Sequence, residues 1–312
     1  MPLVIQNDEC PVYAYINSLR AVSSKSTALR VLHSIAQKLG RSNYYSINWA
    51  RFDRNTLNSL VALLKDKGLS YETIGLYLSI TKSVLREAFL LGQINSLHWE
   101  RVKSVKPPML GKKKLHATLS QSDFAQLLNT IEVLALTNTK KVRDQAMFHL
   151  LIGCGLRRFE LAKLKLSAID LIGNKITFDG KGGKERTVAI HPITMRALKE
   201  WMVIRGYKEG AVFTRVYKSG ELHKSVSINN TDEIPHFSSE SIYLLCKTYG
   251  LVSAGITPHS LRRSYATWLS RNGANIQHIS KLMGHSSIKT TEIYIKTEQR
   301  EIDKTVLDKL FV

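Results

Sequence analysis

Lys175-Ile-Thr-Phe-Asp-Gly-Lys-Gly-Gly-Lys-Glu-Arg-Thr-Val-Ala-Ile190 is the stretch that decides the fold class. Ile176 and Phe178 alternate with polar residues in its first half, as Val188 and Ile190 do in its second. A period of two belongs to β-strands. Between the halves, Gly180-Lys181-Gly182-Gly183 supplies residues that tolerate the positive φ values of a tight turn. A hairpin with strands at Lys175–Asp179 and Arg186–Ile190 is therefore expected.

The texture on both sides is helical. Upstream, Thr118–Val133 and Lys141–Ile152 carry apolar residues at helical spacing. Downstream, helices are expected at Pro192–Gly206, Ser238–Gly250, Pro258–Asn272 and Ile276–Met283. The segment 207–237 has no readable pattern. Nearer the N-terminus, Pro11 can open a helix with Val12, Ile16 and Leu19 on one face. Ser24 or Ser26 would cap a second, carrying Ala28, Val31, Leu32, Ile35 and Leu39 up to Gly40. Leu57, Leu60, Val61 and Leu64 mark a third that ends near Gly68. A longer one opens at Ser70 and runs through Ile74, Leu78, Leu85 and Ala88 to Gly92. The expected fold class is mainly α with a small antiparallel β-sheet, an α+β arrangement.

Two prolines, a glycine and five lysines crowd into Lys103-Ser-Val-Lys-Pro-Pro-Met-Leu-Gly-Lys-Lys-Lys114. Proline resists helix and like charges repel, so this is an exposed linker. The expected domains are 8–102, a linker at 103–114, and 115–312. Lys103, Lys106, Lys112, Lys113 and Lys114 in that linker are candidates to lie along a phosphate backbone.

Composition narrows the partners. Of the 312 residues, 45 are Lys or Arg and 25 are Asp or Glu, a formal charge of +20. Such a field draws polyanions and raises the prior for nucleic acid. No apolar run approaches the ~20 residues of a membrane helix, and the first residues, with Asp8 and Glu9, lack a signal pattern. A cytoplasmic location and no membrane partner are expected. The three cysteines, Cys10, Cys154 and Cys246, form no C-x-x-C pair and read as plain thiols, with no metal site.

Four segments carry candidate chemistry. They are Gly153-Cys-Gly-Leu-Arg157-Arg-Phe-Glu-Leu, the hairpin turn Gly180-Lys181-Gly-Gly-Lys184-Glu-Arg186, Pro258-His259-Ser-Leu-Arg262, and Leu282-Met-Gly-His285-Ser-Ser-Ile-Lys-Thr-Thr-Glu-Ile-Tyr294. Arg157 alone could be a surface residue and Lys181 an ordinary hairpin lysine. Their order and spacing together resemble the tyrosine recombinases, also called phage integrases. G-L-R-x-x-E-L, G-K-G-x-K-x-R, H-x-L-R, L-x-G-H and T-T-x-I-Y follow one another as in that family, and the first 102 residues match only in type, as a small helical DNA-clamping domain.

The resemblance implies a site-specific DNA recombinase with Tyr294 as nucleophile and Arg157, Lys181, His259, Arg262 and His285 around it. Attack on a phosphodiester adds negative charge to the phosphoryl oxygens, and two guanidiniums offer forked donors for them. Tyr294, with an ordinary pKa of about 10, needs an acceptor such as His259. His285 would be a third donor, and Lys181 would protonate the leaving 5′ oxygen. Lys184 and Arg186 are its fallback candidates and are otherwise expected on phosphates. The bond energy is stored in a 3′-phosphotyrosyl link, so no cofactor is expected. Glu185 stands where a nucleotide-binding loop requires Ser or Thr.

The partners implied are double-stranded DNA at specific sites and further copies of the chain, a tetramer on DNA. An accessory DNA-bending protein stays open. Ile302, Val306, Leu307, Leu310 and Phe311 lie at helical spacing beyond the tyrosine, and a helix so short must dock, on its own domain or on a neighbour. Exchange between protomers is what the family implies. Phe159, Arg263 and Ile295 depart from the family pattern without removing a catalytic group. Alternatives to a mobile-element integrase are a cellular or plasmid dimer resolvase, a type IB topoisomerase and an inactive DNA-binding regulator.

Overall fold

The computed structural model describes residues 9–108, 117–179, 185–223, 237–285 and 287–292. The chain divides into two compact units, Met1–Lys114 and Leu115–Val312.

In the first unit, α1 (Pro11–Ser18), α2 (Val22–Lys38), α3 (Arg54–Asp66), α4 (Tyr71–Leu90) and α5 (Ser96–Lys103) enclose one apolar core. Leu32, Ile35, Leu57, Leu60, Ile74 and Leu85 fill it, all essentially solvent-free. Side-chain oxygens start three of these helices. Asp53 accepts from Thr56 N at 2.8 Å, Ser70 from Thr73 N at 3.2 Å and Asn95 from His98 N at 2.9 Å. Helix α2 differs from expectation: it is already turning at Ala21, whose carbonyl accepts from Ser24 and Lys25, so neither Ser24 nor Ser26 caps it. Helix α5, which reaches into the expected linker at Lys103, carries too few apolar residues to have stood out in the sequence.

The second unit begins with α6 (Gln121–Leu134), opened by a reciprocal pair in which Ser120 and Asp123 each accept the other's backbone N–H. Helix α7 (Asn138–Gly153) starts three residues before its expected boundary because Thr137 caps it, accepting from Lys140 N at 3.3 Å. After α8 (Arg158–Ala162), a three-stranded antiparallel sheet runs β1 (Ile169–Asp170), β2 (Lys175–Asp179), β3 (Glu185–Ala189) in that order. Ile176 pairs with Val188 and both are buried, while Phe178 stands opposite Arg186. The second strand keeps the expected phase, with Val188 and Ile190 buried, but its bounds lie one residue earlier than expected, and β1 is an addition. The turn, with Lys181 and Lys184, lies outside the described residues.

Helices α9 (Pro192–Arg205), α10 (Ser239–Thr248), α11 (Pro258–Arg271), α12 (Ile276–Met283) and α13 (Ile288–Glu292) complete the unit. The part of 207–237 that is described hangs on backbone hydrogen bonds. Val212 N donates to Leu164 O at 2.7 Å, and the buried Trp201 indole donates to Val212 O at 2.8 Å. Inside the core, Asp144 takes Arg143 Nη2 at 2.7 Å and the Tyr249 hydroxyl at 2.7 Å, so this buried charge is satisfied on both sides. Cys154 and Cys246 are buried and unbridged, and burial pushes both thiols up to about 12. No described helix is long and apolar enough to cross a membrane.

Candidate active site

Helix α7 ends at Gly153, and the chain then turns sharply through Gly155, which has φ +61°. A Cβ at Gly155 would sit 2.4 Å from the Tyr265 ring, so only glycine fits. This turn delivers Arg157 to the start of α8. Its backbone N–H donates to Glu160 Oε2 at 2.7 Å, and its Nη1 donates to Glu160 Oε1 at 2.7 Å. Its Nη2 reaches the carbonyls of Gly284 at 3.2 Å and Met283 at 3.4 Å.

Helix α11 supplies His259 and Arg262 from its first turns. Thr257 caps this helix, and Pro258 at its first position has no N–H to leave unpaired. Arg262 is 2% exposed. Its Nη1 donates to Gly155 O at 2.5 Å, its Nη2 to Met283 O, and Glu160 Oε2 lies 3.9 Å away. Helix α12 stops at Gly284, which is left-handed (φ 59°, ψ 46°) and orients the two carbonyls that Arg157 and Arg262 use. The next residue is His285. Its Nε2 lies 3.5 Å from Arg262 Nη2 and its Nδ1 lies 2.8 Å from Thr291 Oγ1.

Glu160 is the hub of the cluster. Besides Arg157 it receives Arg186 from β3, whose guanidinium donates through Nη1 at 2.9 Å and Nη2 at 2.8 Å and packs 4.8 Å from the Phe178 ring centre. Burial would raise the Glu160 carboxyl, but Arg186 and Arg157 outweigh it and hold it down at about 2. Arg157, Arg186 and Arg262 thus gather around one carboxylate, leaving a positive field. Desolvation, then Arg262 and Arg157, push His285 down to about 4 and shift His259 in the same direction. Both imidazoles are uncharged at neutral pH. The Arg157 side chain keeps 35% of its surface open, so its guanidinium can meet a ligand. A partly open guanidinium able to donate to an anion, a buried second guanidinium beside it and two neutral imidazoles stand together.

Of the residues singled out in the sequence, Arg157, His259, Arg262 and His285 come together here. Lys181 and Tyr294 lie outside the described residues, as do Lys112, Lys113, Lys114 and Lys184. Lys106 is exposed, and Lys103 is exposed and pairs with Glu100 at 3.1 Å. Arg186, expected on a phosphate, directs its fork at Glu160, so its geometry is that of a support for the site. Glu160 itself was overlooked as a functional residue. Its signal was present: an acid three residues beyond a helix start has capping-box spacing. Thr291 was overlooked too. Among the described residues, no group of three or more His, Cys, Asp or Glu side chains is placed to hold a metal ion.

Comparison with known proteins gives consistent relatives. The model of the phage integrase family matches residues 117–301. Tyrosine recombinase XerD of Staphylococcus haemolyticus is 28% identical over 260 residues, covering 80% of each chain. Tyrosine recombinase XerC of Serratia marcescens is 27% identical over 277 residues, 87% of this chain and 82% of the relative. The Tn1549 transposon integrase, solved in complex with transposon right end DNA, superposes with TM-score 0.69 at 16% identity, over 97% of this chain and 99% of that one. A lambda integrase dimer bound to a COC' core site gives 0.66 at 15%, over 93% and 96%. These two structures share the fold.

Proposed function

Because the chain belongs to the phage integrase family, we propose that it is a site-specific tyrosine recombinase that cleaves and rejoins double-stranded DNA through a 3′-phosphotyrosyl intermediate. The observation that carries this function is the joining of Arg157 and Arg262 at Glu160 with His259 and His285 beside those arginines, a set suited to a phosphoryl group gaining charge. Tyr294 attacks phosphorus and forms the new O–P bond as the bond to the 5′ oxygen breaks. His259, uncharged at neutral pH, takes the tyrosine proton. Lys181 gives a proton to the 5′ oxygen. Arg157 and Arg262 hold the phosphoryl oxygens, with His285 as third donor. The reverse sequence rejoins the strand, so bond energy is conserved and nucleotide hydrolysis has no part.

Within this function, our reading is the integrase of a mobile element acting as a tetramer, with the C-terminal segment Glu301–Val312 exchanged between protomers. The similarity to XerC and XerD supports a second reading, a dimer-resolving cellular recombinase. Inverted repeats or element boundaries in the DNA flanking the gene support the first, and their absence supports the second. The recombinase function itself is tested with a nicked duplex whose cleaved fragment diffuses away. A protein–DNA adduct stable in denaturing gels is expected, and its absence on every candidate site would refute the function.

A further inference from the structure

His285 is engaged at both ring nitrogens. Arg262 can only donate, so toward Arg262 Nη2, at 3.5 Å, Nε2 is an acceptor. A neutral ring then carries its one proton on Nδ1 and donates it to Thr291 Oγ1 at 2.8 Å. Desolvation and the surrounding guanidiniums keep the ring neutral at physiological pH. A phosphodiester reverses the demand on this imidazole. Phosphoryl oxygens only accept, so Nε2 must now present N–H, and Nδ1 must turn from donor to acceptor. The partner at Nδ1 has to serve both states. A hydroxyl does, because it accepts from Nδ1–H and equally donates to bare Nδ1. Thr291 is fully buried, so packing holds its hydroxyl in place against the ring.

We propose that Thr291 is a positioning residue that holds the His285 ring and, by switching its hydroxyl between acceptor and donor, lets Nε2 turn from Arg262 to a phosphoryl oxygen. The change is a tautomer exchange. One proton leaves Nδ1 and one arrives at Nε2, with solvent as carrier and no change in ring charge. Thr291 also lies three residues before Tyr294, so one hydrogen bond ties His285 to the segment leading to the proposed nucleophile. The identity of the incoming phosphate rests on the recombinase function, whereas the state of the ring in free protein does not.

The test uses Thr291→Val, which keeps shape and removes the hydroxyl, and Thr291→Ser, which restores it. Side-chain ¹⁵N spectra of His285 in the DNA-free full-length protein should report the Nδ1–H form in wild type and Thr291→Ser, and a changed tautomer population in Thr291→Val. Covalent adduct on the nicked duplex should form about tenfold more slowly in Thr291→Val, the rate equivalent of one lost hydrogen bond, and within about twofold of wild type in Thr291→Ser. In a His285→Ala background, Thr291→Val should cause no further slowing, because its effect passes through the imidazole. An unchanged ¹⁵N spectrum in Thr291→Val, or equal slowing with and without His285, overturns the proposal. If wild type forms no adduct, the recombinase function fails, and the ¹⁵N comparison alone decides the role of Thr291.

Discussion

Arg186 grips both carboxylate oxygens of Glu160, Nη1 to Oε1 at 2.9 Å and Nη2 to Oε2 at 2.8 Å, and so turns a buried acid into the anchor for the arginine cluster. Such a planar, two-bond pairing fixes orientation as well as charge. It leaves Arg157 attached to the other side of the same carboxylate with part of its surface open.

The anchor has a pH signature. Glu160 ionises at about 2 when folded, below the 4.5 of an ordinary glutamate. Its contribution is therefore complete above about 4.5 and is lost as pH falls through 2, on the order of 3 kcal/mol in all. Urea midpoints of wild type should decline over this window more steeply than those of Glu160→Gln. Parallel declines would show that the carboxylate is not the stabilising ion.

Gly155→Ala should lower stability by about 2 kcal/mol or more, since a left-handed alanine is strained and its Cβ would overlap the Tyr265 ring. Thermal melts measure this. Because Arg262 donates to the Gly155 carbonyl, adduct formation should fall further than the stability loss alone requires. A variant with normal melting and normal cleavage would contradict the close packing at this turn.

Arg262→Lys keeps a charge but cannot reach the Gly155 and Met283 carbonyls with a fixed fork. Cleavage should drop by ~10²–10³, the usual cost of one oriented donor to a developing oxyanion. Affinity in a mobility-shift titration should stay close to wild type. Near-normal cleavage would reduce this arginine to a scaffold.

Most of the helical layout was legible, because apolar spacing survives in the sequence wherever a helix packs on one core. Ile276–Met283 and Lys175–Asp179 fall where the periodicity puts them. Some helix starts were not legible, as at Ala21, where no side chain caps the helix, and at Thr137, where nothing apolar marks the first turn. Strand β1 is two residues long, too short for any period. In the site, the arginines and histidines stood out by type and spacing, but nothing in the sequence marks the pairing of Glu160 with Arg186 or of Thr291 with His285. Thr291 lies six residues from His285, and Arg186 lies 26 from Glu160. Folding alone makes those pairs visible.

The linker lysines make a separate claim. If Lys112, Lys113 and Lys114 lie along the backbone, replacing them with alanine should flatten the slope of log K against log salt by ~0.9 for each phosphate no longer neutralised. Fluorescence anisotropy at several salt concentrations gives the slope. An unchanged slope returns these residues to an ordinary solvated loop.

The identity of the DNA-linked residue decides whether Tyr294 is the nucleophile. Wild-type protein would be trapped on a nicked duplex in excess EDTA without ATP, digested with trypsin and nuclease, and the nucleotide-bearing peptide sequenced by mass spectrometry. A 3′-phosphate on Tyr294 is expected, and a Tyr294→Phe variant should still shift DNA in native gels yet form no adduct. A nucleotide on any other residue, or an adduct in the Phe variant, would contradict that assignment.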